Sequence, residues 1–256
     1  MFDKYKKRDL IISISSLGNN IKLWLFSKWE CLHNYQNINQ YEFIFSACFL
    51  DNNKQIFILT SNYCNENKPE KVKVYDLNGT KIKEINNSNE ETVFIDSFFD
   101  KKTSKYFIIT GNRGYIKSYD FNNNKVYYKY DDKGREDCHH HNIVIEQKKD
   151  ITKMFESELD KYIRIWNFHS GKLLKKILIF NKPQALCLLN EKYLLVGNLE
   201  NIKIYDLEED KLFNDIHSNK EVVNIKLFYH PKLGECIVSQ NYDDVIKLWT
   251  IEYKKI

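Results

Sequence analysis

Short runs in which hydrophobic and polar positions alternate recur along the whole chain. This alternation has the period of two residues that is typical of β-strands, and polar turns rich in Asn, Gly and Asp separate the runs. Examples are LIISIS starting at Leu10, QIFILTS starting at Gln55 and KYFIITG starting at Lys105. The pattern therefore predicts an all-β protein.

A four-residue motif marks six places in the chain. Each copy consists of an aliphatic residue, a Lys or Arg, a variable residue and a large aromatic residue. The aromatic residues follow one another at intervals of 39 to 51 positions, and three copies continue with Asp. The copies are IKLW at 21–24, VKVY at 72–75, IKSY at 116–119, IRIW at 163–166, IKIY at 202–205 and IKLW at 246–249.

The surroundings of the motif predict four antiparallel strands in each repeat: one apolar run upstream, one alternating run, the motif itself and a short run after it. Four-stranded units repeated at about 40 to 50 residues are the signature of a β-propeller. Because one such sheet cannot cover both of its apolar faces, neighbouring sheets must pack against one another. We expect a single propeller domain over residues 1–256, with approximate repeats 1–37, 38–87, 88–131, 132–180, 181–217 and 218–256.

The two ends of the sequence depart from this repeat. Nine residues precede the run at Leu10, too few for a complete first blade, and only TIEYKKI follows Trp249 as a fourth strand. We therefore expect the first and last blades to be incomplete, the first without its leading strand. Two arrangements fit: an incomplete ring, such as a truncated seven-bladed one, and a six-bladed ring whose last blade is completed in an unusual way. The first is favoured.

The last repeat resembles the WD-repeat (Trp-Asp repeat) β-propeller family. Its sequence HSNKEVVNIKLFYHPKLGECIVSQNYDDVIKLW has a His before the first strand, a Ser in the second, an Asp in the next turn and a Trp in the third. The resemblance implies a structural network, not a catalytic one, in which the Asp holds a buried imidazole that orders the Ser and the indole. Its members here would be His217, Ser239, Asp243 and Trp249. Tyr replaces Trp in three copies, so those repeats are expected to depend more on packing.

The net charge, the cysteine content and the length of the apolar stretches argue against several classes of protein. The net charge of +4 comes from 39 Lys and Arg against 35 Asp and Glu spread along the chain, which argues against a nucleic-acid footprint. The six cysteines lie at least 16 positions apart, without a CxxC pair, and fit free thiols in a reducing compartment. No apolar stretch approaches the roughly 20 residues that cross a bilayer. We therefore expect a cytoplasmic protein that does not bind membranes.

Three kinds of stretch contain residue types that are found in chemical sites. CHHH at 138–141 looks like metal chemistry, but neighbours on an extended segment point in alternating directions and no second Cys or His pair is near, so a His-rich loop is favoured over zinc. TGNRG at 110–114 lacks the Lys and Ser or Thr of a phosphate-binding loop. Adjacent acids such as Glu208 and Glu209 lie in predicted turns. We expect no metal site, no cofactor and no catalytic residue.

The function that the sequence favours is a non-catalytic scaffold, a subunit or module of a larger assembly that binds proteins or peptides through rim loops. Rigid blades hold many short loops on one rim, which lowers the ordering cost of binding. By resemblance, the binding rim carries the turns between second and third strands and those leading into first strands. The partner-binding candidates there are Arg113, His140, Tyr162, Tyr242 and Asp244.

Two alternatives from other classes rank lower, and no small-molecule substrate is expected. A propeller-fold hydrolase would need channel-lining carboxylates on several blades, whereas the predicted leading strands are mainly apolar, with Asp96 as the exception. An RNA-associated propeller subunit would show steep salt dependence of polyanion binding.

Overall fold

The computed structural model describes residues 1–256 except 16–19, 37–41, 65–70, 86–91, 113, 134–139, 180, 231, 244 and 252–256. The described residues form 23 β-strands and one 3₁₀ turn at Phe26–Lys28. Within these residues no helix is both long enough and apolar enough to span a bilayer. The strands assemble into six small antiparallel sheets, which are the blades of a β-propeller.

The first compact unit, Met1–His139, contains blades 1 to 3. Within each blade the strands are adjacent in chain order, and each is antiparallel to the one before it. Blade 1 comprises β1 (Phe2–Asp3), β2 (Arg8–Ser15), β3 (Asn20–Leu25) and β4 (Glu30–Gln36). Blade 2 comprises β5 (Glu42–Asp51), β6 (Ile56–Cys64), β7 (Val72–Asp76) and β8 (Lys81–Ile85). Blade 3 comprises β9 (Thr92–Asp100), β10 (Lys105–Asn112), β11 (Tyr115–Asp120) and β12 (Val126–Asp131).

The second compact unit, His140–Ile256, contains blades 4 to 6 with the same strand order. Blade 4 comprises β13 (His140–Gln147), β14 (Thr152–Glu158), β15 (Tyr162–Asn167) and β16 (Leu173–Leu178). Blade 5 comprises β17 (Ala185–Leu189), β18 (Tyr193–Gly197), β19 (Asn201–Asp206) and β20 (Lys211–His217). Blade 6 comprises β21 (Val222–His230), β22 (Gly234–Asn241) and β23 (Ile246–Thr250).

The predicted all-β propeller of antiparallel blades is confirmed, and every copy of the motif lies in the third strand of its blade. The first blade differs in detail from the expectation, because it has a leading strand, β1, of two residues. Blade 6 has three strands in the described part of the chain. The single domain over residues 1–256 stays a prediction.

In blades 2 and 5 the third strand serves two interfaces at once. Side chains alternate across a strand, so the aliphatic residues of the motif face one neighbouring blade and its aromatic residue faces the other. In blade 2, Val72 and Val74 pack with Ile95 and Ile108 of blade 3, while Tyr75 packs against the core shared with blade 1. The same division of faces holds at the junction of blades 5 and 6 in the second unit. The motif is therefore the residue pattern through which neighbouring blades cover each other.

The residue after the motif shapes the turn that leads to the fourth strand. In blade 2, Asp76 Oδ1 accepts hydrogen bonds from the backbone N–H groups of Asn78 at 2.9 Å and Thr80 at 2.8 Å. Such a turn requires a short side chain with an oxygen three bonds from Cα, so Asn can replace Asp. The equivalent turns of blades 3, 4 and 5 are held by Asp120, Asn167 and Asp206.

Gly197 lies at the junction of blades 5 and 6, close to Val222. A Cβ at this position would lie 2.8 Å from Val222 Cγ1 and 2.9 Å from the Val222 carbonyl oxygen. Val222 is fully buried, and its backbone N–H donates to the carbonyl of Asn198 at 2.8 Å, so it has little room to retreat. The junction therefore requires a residue without a side chain at position 197.

We expect the substitution Gly197→Ala to lower the free energy of unfolding by about 1 to 3 kcal/mol, because the added methyl group overpacks this junction. Urea denaturation followed by tryptophan fluorescence measures the change. An unfolding midpoint equal to that of the unmodified protein would contradict the prediction.

Candidate partner-binding surface

The five predicted partner-binding residues are unevenly placed. Arg113 and Asp244 lie outside the described residues, and so does the side chain of His140, whose backbone begins β13. Tyr162 and Tyr242 are described, and both belong to the second unit, on blades 4 and 6. Blade 5 lies between these two blades in the order of packing, so the two Tyr residues belong to separate parts of the surface.

Tyr242 follows β22 in the turn toward β23 and is 77% exposed. Its backbone N–H donates to the carbonyl oxygen of Glu221 at 2.9 Å. The preceding Asn241 is buried, and its Nδ2 donates to Ser218 Oγ and to the carbonyl of Lys220, both at 3.3 Å. The ring is therefore presented to solvent from a backbone that several hydrogen bonds hold in place.

The segment leading into β21 is tied to the turns beside it. Ser218 is buried, and its backbone N–H donates to the carbonyl of Glu200 in the adjacent turn of blade 5 at 2.9 Å. The carbonyl oxygen of Ser218 accepts a bond from Lys247 Nζ at 2.5 Å. Gln184, which precedes β17, donates its side-chain amide to the carboxylate of Glu221. These bonds make one connected base beneath the turns of blades 5 and 6.

The surface on this base, which we name the blade 6 rim, consists of the partly buried Glu221 and of four exposed residues: Lys220, Tyr242, Asp243 and Val245. This surface combines an exposed aromatic ring and an aliphatic side chain with one cationic and two anionic groups. Protein interfaces commonly have this composition, an apolar centre with a polar border, and Tyr is enriched at their energetic centres. The blade 6 rim is the described part of the predicted rim that best suits contact with another polypeptide.

The side chain of Tyr162 is less accessible to a binding partner than the side chain of Tyr242. It is half-buried at the start of β15, and its backbone N–H donates to Asp160 Oδ1 at 3.2 Å. Lys176 Nζ lies 5.9 Å from the centre of its ring, within range of a cation–π contact. The ring of Tyr162 is thus already in contact with its own blade.

The predicted structural network of blade 6 differs from the arrangement in the structure. Trp249 Nε1 donates to Ser239 Oγ at 2.9 Å, which is one bond of that network. His217 and Asp243, however, are both exposed, so neither supplies the buried imidazole or its carboxylate partner. Ser218 and Asn241 are buried here instead, and Asn241 Nδ2 donates to Ser218 Oγ. The reason is that burial begins one residue after His217, at Ser218, whose backbone N–H donates to the carbonyl of Glu200.

The bond from the third-strand indole recurs where the motif has a Trp. In blade 1 Trp24 Nε1 donates to Ser13 Oγ at 2.8 Å, and in blade 4 Trp166 Nε1 donates to Glu156 Oε2 at 2.6 Å. In each case the acceptor lies on the second strand, two residues beyond the one paired with the Trp. The corresponding positions of the Tyr-containing blades are Thr60, Thr110 and Val196.

Blade 4 contains a buried group of charges that the sequence analysis did not single out. Arg164 takes the place of the Lys found in the other motif copies, and its side chain is only 2% exposed. Its guanidinium donates to Glu158 Oε2 at 2.8 Å and also bonds the carboxylate of Asp160. Since Arg can bond two carboxylates at once, it suits this position better than Lys. The Arg in the fourth motif and the ESELD stretch before it were the available sequence signals.

These buried acids have structural partners. The carboxylate of Glu158 bonds Arg164, and that of Glu156 bonds the indole of Trp166. Another buried acid, Glu146, forms ion pairs with Lys148 at 3.2 Å and Lys153 at 3.5 Å. In the part of the chain that is described, no group of three or more His, Cys, Asp or Glu side chains could hold a metal ion.

Residues of blades 1 and 2 line a cavity of about 280 Å³. Its acid Asp3 bonds Arg8 Nε at 3.0 Å and the backbone N–H of Tyr5 at 3.1 Å. Burial alone would raise the pKa of Asp3, but these bonds outweigh it and hold the pKa below its usual value. The second acid, Asp76, caps the turn of its own blade. The carboxylates of this cavity therefore hold the local backbone.

The comparisons with known proteins identify the fold. No family model matches the chain, and no curated protein matches it. Among solved structures, the chain is similar to a crystal structure of the computationally designed Ika8 protein, with a TM-score of 0.61 and 19% sequence identity. The match covers 95% of this chain and 69% of that one. At this identity the likeness concerns the fold.

We expect Arg164→Leu to destabilise the protein by about 3 to 5 kcal/mol, because it leaves two carboxylates without the guanidinium that compensates them. Lys203→Leu is the matched control: it removes the cation at the same motif position of blade 5, where the ion pair with Asp215 is more exposed. Thermal denaturation of both variants provides the comparison. Equal losses of stability in the two variants would contradict the prediction, because burial of the Arg164 ion pairs would then not increase the cost of removing the cation.

Proposed function

We propose that the protein is a non-catalytic scaffold that binds a protein or peptide partner at the blade 6 rim, as a subunit or module of a larger assembly. The observation that carries this proposal is Tyr242, a large aromatic side chain that is 77% exposed above buried Asn241. Binding would remove the ring from water, and the hydrogen-bonded base limits the conformational entropy lost in doing so. The polar residues around Tyr242 would select the partner.

We also propose that the protein is a member of the WD-repeat family. The third-strand motif supports this, as do the Trp–Ser bonds of blades 1 and 6 and the Asp-capped turns of blades 2, 3 and 5. His217 departs from the family pattern, since it lies exposed at the end of β20. Membership in this family agrees with a binding role.

Two further parts of the proposal concern chemistry and location. The buried acids of blade 4 favour a non-catalytic role, because their carboxylates bond Arg164 and Trp166 within the protein core.

A cytoplasmic location is favoured by the free thiols of Cys31, Cys48, Cys187 and Cys236. Burial raises the pKa of the Cys187 thiol, which keeps it protonated and unreactive.

The test compares two exposed Tyr residues on blade 6. Tyr242→Ala removes the proposed contact, and Tyr229→Ala is the matched control, because Tyr229 is 73% exposed and lies at the other end of the blade. A random peptide library displayed on phage is selected on the unmodified protein. We expect the selected peptides to bind Tyr242→Ala about tenfold or more weakly and Tyr229→Ala normally.

Both variants should melt at the temperature of the unmodified protein, because both rings are on the surface. If no peptide is selected, or if the two substitutions weaken binding equally, the blade 6 rim is not the binding surface.

A further inference from the structure

The outer edge of β23 differs from the same edge in every other blade. In blades 1 to 5 the third strand is paired on both sides, with the second strand and with a fourth. In the described residues β23 is paired with β22 alone. Such an edge presents backbone N–H and C=O groups to which another strand can bond.

One face of β23 is also uncovered. Ile246, the first residue of the motif, is 69% exposed, whereas its counterparts in the other five blades are at most 1% exposed. Leu248 is 48% exposed, although the equivalent Leu23 and Val74 are buried. Two large aliphatic residues on one strand face thus lie in solvent where the repeat normally buries them.

This edge also lacks the usual protection against pairing. Proteins guard exposed edges with charged side chains, Pro or bulges. The only charged residue of β23 is Lys247, and its Nζ bonds the carbonyl oxygen of Ser218 at 2.5 Å. This bond ties the ammonium group to its own unit and uses one of its three N–H donors, so the others can bond an acidic side chain on an added strand.

The complete blades show which strand fits at this position. The fourth strand runs antiparallel to the third, with a bulge at the aromatic residue of the motif in all five. A large side chain always lies opposite the first motif residue: Tyr35, Ile85, Tyr130, Ile177 or Ile216. A strand added to β23 should therefore place Ile or Tyr opposite Ile246.

Charge further defines this strand. In blade 5, Lys203 occupies the motif position that Lys247 occupies in blade 6, and it pairs with Asp215 of the fourth strand at 2.8 Å. An acidic residue opposite Lys247 would make the same pair. A second copy of β23 fits less well, because the register that places Ile246 opposite Leu248 also places Lys247 opposite Lys247.

We infer that the edge of β23 is a strand-acceptor site. It binds an extended segment of a partner protein that pairs antiparallel with β23, with Ile or Tyr opposite Ile246 and Asp or Glu opposite Lys247. Main-chain hydrogen bonds supply affinity in this mode of recognition, and the alternate side chains supply specificity. This site goes beyond the contact at Tyr242 and uses a different part of blade 6.

The chain contains a natural probe for this site. The sequence of β20, KLFNDIH, has Asp215 opposite Lys203 and Ile216 opposite Ile202. A fluorescein-labelled peptide of this sequence is titrated with the purified protein and followed by fluorescence anisotropy. We expect saturable binding and slower amide hydrogen exchange over residues 246–250. The same peptide carrying Ile216→Lys should bind about fivefold or more weakly.

Variants of the protein locate the peptide. Ile246→Lys and Leu248→Lys in the protein should each weaken binding of the unchanged peptide at least as much as Ile216→Lys in the peptide does. Leu178→Lys is the matched control for Leu248→Lys, because Leu178 is 49% exposed on β16 and should leave binding unchanged. Tyr242→Ala should also leave it unchanged, so failure at the blade 6 rim and failure at this edge are distinguishable.

Three results would overturn the inference: absence of saturable binding, equal binding by the two peptides, or protection from exchange outside β23. A dimer in sedimentation that Ile246→Lys dissociates, and that the peptide does not disrupt, would assign the edge to a second copy instead.

Discussion

The rest of this structure depends on the need of each four-stranded blade to cover two apolar faces. A sheet of this size has too little depth for a core of its own, so its faces must be buried by neighbours. The third strand meets that need by alternation: Val72 and Val74 face one neighbour and Tyr75 faces the other. Neighbouring blades therefore pack closely. At Gly197, for example, a single added methyl group would clash with Val222.

Interior polar groups are accommodated within this packing in two ways. Indole groups reach an acceptor on the second strand, as Trp249 does with Ser239, while the cation of blade 4 is compensated by Glu158 and Asp160. Both satisfy buried polar atoms that would otherwise destabilise the fold. The acids of blade 4 thereby contribute to stability, and the residues suited to recognition are those that the packing leaves at the surface, such as Tyr242 and Ile246.

Strand identity and the number of repeats could be predicted because they rest on local pattern, whereas the choice between a six-bladed and an incomplete seven-bladed propeller could not. A period of two residues and a motif repeated six times are properties of short segments, and the strands follow them closely. The polar network of blade 6 could not be predicted equally well. Whether His217 or Ser218 is buried depends on the residue at which β20 ends and on the backbone groups available to bond the next residue. The carbonyl that accepts the bond from the Ser218 N–H belongs to Glu200, in another turn. The sequence also did not distinguish the two described partner-binding candidates, of which Tyr242 is exposed and Tyr162 contacts its own blade.

The sequence by itself determined that this chain forms antiparallel strands in six repeats, because alternation along a strand decides which side chains share a face. Tertiary structure alone decided which of those faces are covered. Ile202 and Ile246 stand at the same place in nearly identical motifs, IKIY and IKLW, yet one is buried and the other exposed. The physical reason is that burial of a strand face is supplied by other strands, many of them distant in the sequence, so identical local patterns meet different surroundings.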